Sequence, residues 1–190
     1  MAADPDQLNE LDLDGLAVRI TPMRRRHLRS VLRIEHQVYP RPWSVGLFMS
    51  ELALRATRVY LVARVGPTVV GYAGLLLTAG DGHVTTIAVD PAWHRHKIGT
   101  RLMLHLTRQS IEKGATALTL EVRMSNDAAQ GMYRTFGFAP AGVRPGYYVE
   151  TNEDALIMWA YDVATPEYTD RLARIEASIP GHTIIDETGT

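Results

Sequence analysis

The residues with the richest chemistry lie in one run, Ile87-Ala88-Val89-Asp90-Pro91-Ala92-Trp93-His94-Arg95-His96-Lys97-Ile98-Gly99-Thr100-Arg101-Leu102. A β-rich stretch stops at Asp90-Pro91, a short basic loop follows, and helical spacing begins at Ile98. The first amides of a helix lack carbonyl partners, and the positive end of the helix dipole lies behind them. Such a turn can hold an anion, and here it reads as a pyrophosphate cradle. Gly99 lets backbone come close to a phosphate, and Arg95, His96, Lys97 and Arg101 add positive charge. The plain alternative is a solvated basic helix start, because short glycine motifs recur by chance. A second group is sparser. Glu121 ends an apolar run from Ala117 to Val122, where burial suits a carboxylate to base work. Its structural alternative is a pair with Arg123 or another cation.

These residues need a scaffold, and the hydrophobic pattern supplies one. Leu16 to Thr21 alternates as a strand, and Arg25 to Tyr39 has helical spacing that Pro40 and Pro42 must end. Ser44 caps a second helix. Arg58 to Val65 and Thr68 to Thr78 are strands about the Gly66-Pro67 turn, and a third strand, His83 to Val89, follows Gly80-Asp81-Gly82. Ile98 to Lys113 is a helix stopped by Gly114, Ala117 to Val122 a strand, Asn126 to Phe136 a helix stopped by Gly137, and Ala155 to Tyr161 a last strand. The order predicts one α/β domain with a mixed, mostly antiparallel central sheet flanked by helices. Residues 1–15 read as a flexible acidic leader and 16–162 as the domain. Residues 163–190 read as an appendage with a short amphipathic helix through Tyr168, Leu172, Ile175 and Ile179. His182 to Thr190 shows no periodicity.

The segment from Ile87 to Leu102 resembles the acetyl-coenzyme A loop of the GNAT acetyltransferases. His94 stands at the family's Gln/Arg position, Lys97 at its first glycine and Gly99 at its last, so two signature positions depart. If the Lys97 position needs positive φ, a lysine there is strained. Leu120-Glu121-Val122-Arg123-Met124-Ser125-Asn126-Asp127-Ala128-Ala129 with Met132 to Phe138 is similar to the RimI-type alanine N-acetyltransferases. So are Tyr39-Pro40-Arg41-Pro42-Trp43-Ser44 and Arg144-Pro145-Gly146-Tyr147-Tyr148. The resemblance spans roughly Val18 to Ala160 and implies a GNAT fold, acetyl-coenzyme A as co-substrate and a protein N-terminal amine as acceptor, with a ribosomal protein as the candidate partner. It implies Glu121 as base through water, Tyr133 as proton donor to the thiolate, and Asn126 as a coenzyme contact beyond its capping role. It also implies that the backbone of Ile87, Ala88 and Val89 pairs with the pantetheine arm, beside the loop residues Arg95, His96, Lys97, Ile98, Gly99 and Thr100. Trp43, Tyr147 and Tyr148 are its candidates for an acceptor groove, or ordinary packing aromatics. A lysine or small-amine acceptor, and a non-catalytic acyl-coenzyme A sensor, are the competing readings.

Composition narrows the classes. Net charge is −1, which gives no support to nucleic-acid binding, so Arg24-Arg25-Arg26 with Arg29 and Arg33 reads as a solvated face. No cysteine is present, which excludes a disulfide framework and a cysteine nucleophile, and no histidine has metal-ligand spacing. No apolar run reaches membrane-span length and the first ten residues are no secretory signal, so a cytoplasmic protein is expected. His83 reads as an exposed histidine beside a turn, and Tyr133 has a core aromatic as its alternative reading.

Overall fold

A computed structural model describes residues 13–186, and most of the acidic leader expected over 1–15 lies outside them. The chain runs β1 (Ala17–Pro22), α1 (Leu28–Val38), α2 (Val45–Ala53), β2 (Arg58–Val65), β3 (Thr68–Thr78) and β4 (Asp81–Val89). It continues through α3 (Ile98–Glu112), β5 (Ala117–Arg123), α4 (Asp127–Thr135), β6 (Ala139–Tyr148), β7 (Glu153–Ala160), α5 (Pro166–Ala177) and β8 (His182–Ile185). Among the described residues the strands form one mixed sheet in the order β6-β7-β5-β4-β3-β2-β1-β8. The α/β fold with a mostly antiparallel sheet flanked by helices is the one the pattern predicts.

Alternation along the strands builds two cores. Val59, Leu61 and Ala63 of β2 pack on one face with Leu102 and Leu106 of α3. Tyr60 and Val62 face the other way, toward Val31 and Ile34 of α1 and Phe48 of α2. Local signals set the element ends. Ser44 Oγ accepts from Leu47 N at 3.2 Å, and Asn126 Oδ1 accepts from Ala129 N at 3.1 Å. Tyr39 is extended, at φ −112° and ψ 130°, as the proline after it requires.

Three elements differ from the sequence reading. The first helix starts later, because Arg25–His27 is a separate 3-10 turn. Arg144 to Tyr148, which the sequence pattern assigns to no strand, belongs to edge strand β6, whose register breaks between Pro140 and Gly142 and between Arg144 and Tyr148. Prolines cannot donate to a ladder, so an edge strand with interruptions is where Pro140 and Pro145 fit. His182 to Ile185, without periodicity, is strand β8, which pairs parallel with β1 from Ala17↔His182 to Ile20↔Ile185. Gly181 makes this approach possible. Its φ is +74°, and a Cβ there would lie 2.5 Å from the carbonyl oxygens of Leu13 and Leu16.

The sheet opens at its centre. β4 and β5 pair in parallel only from Asp81↔Ala117 to Val84↔Leu120. Thr85 is a bulge, because Thr86 pairs with Gly74 while Val84 pairs with Leu75. Beyond it β4 stays with β3 and leaves β5. Asp90 N donates to Val70 O at 2.9 Å, so by alternation Ala88 and Thr86 point their peptide groups at β3. The amides and carbonyls of Ile87 and Val89 therefore face the gap.

Candidate active site

The gap between β4 and β5 continues into a cleft of about 1370 Å³ that also reaches the starts of α3 and α4. On one side, the donor half, the loop after β4 is shaped by two non-glycine residues in the left-handed region, Arg95 at φ 70° and Lys97 at φ 59°. Lys97 thus takes the positive φ that the family's glycine suits, a conformation that costs a side-chain-bearing residue roughly 1 kcal/mol or more. Arg101 is the first amide to close a helical bond, onto Lys97 O at 3.0 Å. The amides of Ile98, Gly99 and Thr100 have no carbonyl behind them within the helix, and all three residues line the cleft. A Cβ at Gly99 would lie 3.5 Å from Met132 Sδ and 3.7 Å from Val89 Cγ2, in ordinary contact. Glycine there thus relieves no clash within the protein and leaves room in the cleft between Val89 and Met132.

Two expected contributors to this half are turned elsewhere. His96 is 8% exposed, with Nδ1 2.8 Å from His94 O and its ring against Trp93, and its side chain lies outside the cleft. Arg101 is buried and donates to Pro180 O and Thr183 Oγ1, so its charge serves the β8 segment rather than the loop. Arg95 and Lys97 remain as exposed cations on the cleft wall. Ala88 lines the cleft, but its peptide groups belong to the ladder with β3.

The other side, called the acceptor half for the role proposed below, is built from side chains. Glu121 is nearly buried, its side chain 8% exposed, at the inner end of the opening. Its carboxylate meets His83 Nε2 at 2.6 Å and Arg144 Nη2 at 3.3 Å. Arg123 does not pair with it. That guanidinium lies 3.6 Å from Glu153, donates to Thr151 Oγ1 at 2.7 Å and covers the Tyr148 ring at 4.3 Å. His83 is therefore not the turn-side surface histidine of the sequence reading. It sits within β4, two residues before the bulge, and is half-buried against the carboxylate. Tyr133 lines the same cleft from α4, 4% exposed, with its ring against Phe138. Its hydroxyl makes no hydrogen bond among the described residues. Burial holds its phenol well above the ordinary tyrosine range, so the oxygen keeps its proton.

The far wall is aromatic. Tyr39 donates to Ile87 O at 2.9 Å, which fixes the α1–α2 connection against the bulged strand. Trp43 packs on Phe48, and its amide donates to Glu35 Oε1 at 2.8 Å. Glu35 is 1% exposed, its other oxygen has no partner among the described residues, and burial pushes its carboxyl up to about 7 against the opposing pull of the Trp43 amide. Tyr147 and Tyr148 stack edge to face at 5.1 Å, and burial raises the Tyr148 phenol to about 12. The structure thus brings Glu121, Tyr133, Asn126, Trp43, Tyr147 and Tyr148 to one cleft with the β4 strand and its loop. His83 and Tyr39 also line it, and Arg144 reaches Glu121; sequence reasoning made none of the three a site residue. The signal for His83 and Arg144 is pairing across strands, which no local spacing carries, and Tyr39 is placed by the end of α1 against Ile87 O.

The sequence profile of the Acetyltransferase (GNAT) family matches residues 28–138. The chain belongs to the GNAT acetyltransferase family. It is 36% identical over 151 residues to the N-alpha-acetyltransferase RimI of Mycobacterium tuberculosis, a match covering 76% of this chain and 93% of that protein. It is 32% identical over 141 residues to the [ribosomal protein bS18]-alanine N-acetyltransferase of Escherichia coli K12, covering 73% and 94%. The crystal structure of the ribosomal-protein-S18-alanine N-acetyltransferase from Escherichia coli superimposes with a TM-score of 0.70 at 29% identity, covering 76% of this chain and 94% of that one. This GNAT acetyltransferase is therefore an acyltransferase that takes its acetyl group from acetyl-coenzyme A. The cleft fits that donor. The amides of Ile87 and Val89, turned away from β3, suit the amide-bearing pantetheine arm, and the α3 amides that no helical carbonyl reaches suit a pyrophosphate.

Proposed function

We propose that this acetyltransferase modifies the N-terminal α-amine of a protein, with a terminal alanine on a ribosomal protein as the acceptor class its relatives' names suggest. The observation that carries the mechanism is Glu121, a nearly buried carboxylate held between His83 and Arg144 at the end of a strand opening, with the Tyr133 hydroxyl in the same cleft. Acetyl-coenzyme A supplies an activated acyl group and a sulfur leaving group. The acceptor's neutral amine attacks that acyl carbon directly, so the C–N bond forms as the C–S bond breaks. Glu121 takes the proton that the attacking nitrogen must shed, directly or through one water, and His83 on its Oε2 holds the carboxylate in place. Tyr133, kept protonated by burial, donates to the sulfur as negative charge develops there.

Chemistry favours an α-amine. Its pKa near 8 leaves about a tenth neutral at pH 7, whereas a lysine near 10.4 leaves well under a thousandth. The difference of roughly 2.5 pKa units corresponds to about 3.4 kcal/mol that a lysine-directed site must recover from its own contacts. A coenzyme A release assay tests the reading. A peptide beginning with alanine should turn over, and the same peptide N-acetylated in advance should not. Preference for a lysine peptide or a polyamine would replace the acceptor, and no release with any amine would favour the acyl-coenzyme A sensor.

A further inference from the structure

Two residues on the cleft wall have no part in the chemistry above. Ile175 lies in the last turn of α5 and Ser178 is its C-cap, and both line the cleft along with Gly131 and Thr135 of α4. Helix α5 lies outside the stretch that the family profile matches. It is nonetheless fastened to both helices that border the donor half. Tyr168 donates to Phe136 O at 2.7 Å, and Arg171 to Thr135 O at 3.3 Å, which ties α5 to the end of α4 remote from Asn126. Arg108 of α3 grips Glu176 through two hydrogen bonds, at 2.9 and 2.6 Å. Just after the helix, Pro180 and Thr183 receive the buried Arg101 of α3.

The shape of the donor then assigns this wall. Glu121 and Tyr133 mark where the thioester reacts, and the α3 amides mark the pyrophosphate. The remaining part, the phosphorylated adenosine, must run on past the start of α3. Ile175 offers apolar surface there, and Ser178 is exposed beside it. We propose that helix α5 forms the wall of the coenzyme's nucleotide subsite, with Ile175 and Ser178 contacting the adenosine end of acetyl-coenzyme A. The inference rests on the donor assignment and is independent of the acceptor. Helix α5 thus adds donor affinity that depends on the nucleotide and not on the acyl arm.

Calorimetry without any acceptor tests it, using coenzyme A and 4′-phosphopantetheine, which lacks the nucleotide, as the two ligands. Ser178→Glu places a carboxylate on the wall at an exposed position. It should weaken coenzyme A about 10-fold or more while leaving 4′-phosphopantetheine within about 2-fold, at an unchanged melting temperature. Ile175→Ala should weaken coenzyme A alone by a few-fold. If coenzyme A binds Ser178→Glu as tightly as wild type, or if both ligands lose affinity alike, the subsite is not there. If the unaltered protein fails to bind coenzyme A, the donor assignment itself falls, which is a distinct result.

Discussion

The two halves of the cleft are made of different material. The donor half presents main chain, namely the peptide groups of Ile87 and Val89 and the amides that open α3. The acceptor half presents side chains, with Glu121 joined to His83 and Arg144 and aromatic residues around them. A backbone surface depends on chain conformation and tolerates exchange of the side chains that ride on it. That is why His94 and Lys97 can stand where the family has other residues while the loop keeps its left-handed turn. A side-chain surface has no such tolerance, since in the proposed mechanism each group is the chemistry.

The contrast predicts where substitutions hurt most. The largest effect falls on Glu121. Glu121→Gln keeps the shape and removes the base, so kcat should drop about 100-fold or more while coenzyme A affinity stays within a few-fold. Near-normal kcat in the folded variant would show that the carboxylate only braces His83 and Arg144. Next comes Tyr133→Phe. The hydroxyl has no partner to lose among the described residues, so the melting temperature should hold while kcat falls about 10- to 100-fold. A fall in stability with intact kcat would mark the tyrosine as core alone. A smaller, opposite signature belongs to the donor half. Lys97→Gly relieves the left-handed strain but removes a cation, so coenzyme A should bind a few-fold weaker, with a flatter salt dependence and no loss of melting temperature. Tighter binding would mean that the backbone strain outweighed the ammonium.

The smallest effect concerns Glu35, behind the acceptor wall. Its carboxyl is raised to about 7 in the folded protein from an ordinary 4.5. The neutral form is the one the fold prefers, so its stabilising contribution is full below about pH 4.5 and is lost as pH rises through 7. Glu35→Gln should therefore melt like wild type at pH 4 and several degrees higher at pH 8, since a shift of this size is worth roughly 3 kcal/mol and each kcal/mol about 2–4 °C. A variant that melts lower at pH 8 would mean that the charged carboxylate is needed to hold the Trp43 amide.

The same contrast explains what the sequence reveals. The donor half is written locally. Asp90-Pro91, the basic loop and Gly99 lie within one short run, so its place between a strand and a helix could be read directly. Glu121 and Tyr133 stand out because each sits in a stretch that resembles one family, and both line the cleft. The groups around Glu121 do not stand out. His83, Glu121 and Arg144 come from β4, β5 and β6, and only the sheet order β6-β7-β5-β4 brings them within reach. Strand β8 was hidden for a related reason. It is a short edge strand with mostly exposed residues, so no alternation marks it, and its place depends on Gly181 and the buried Arg101.

The pairing of β8 with β1 bears on how the protein is made. A chain leaves the ribosome in order, and domains begin to fold as they emerge. Here the outer edge of β1, among the earliest strands to appear, is completed only by residues 182–185. Until those residues emerge, β1 presents bare amides and carbonyls to any extended segment nearby, and bare sheet edges are where chains associate wrongly. The two terminal nitrogens of the Arg101 guanidinium likewise wait for Thr183 and Pro180 before they find acceptors. The closing of this edge is thus a late step in biogenesis, placed on the opposite side of the sheet from β6 and β7.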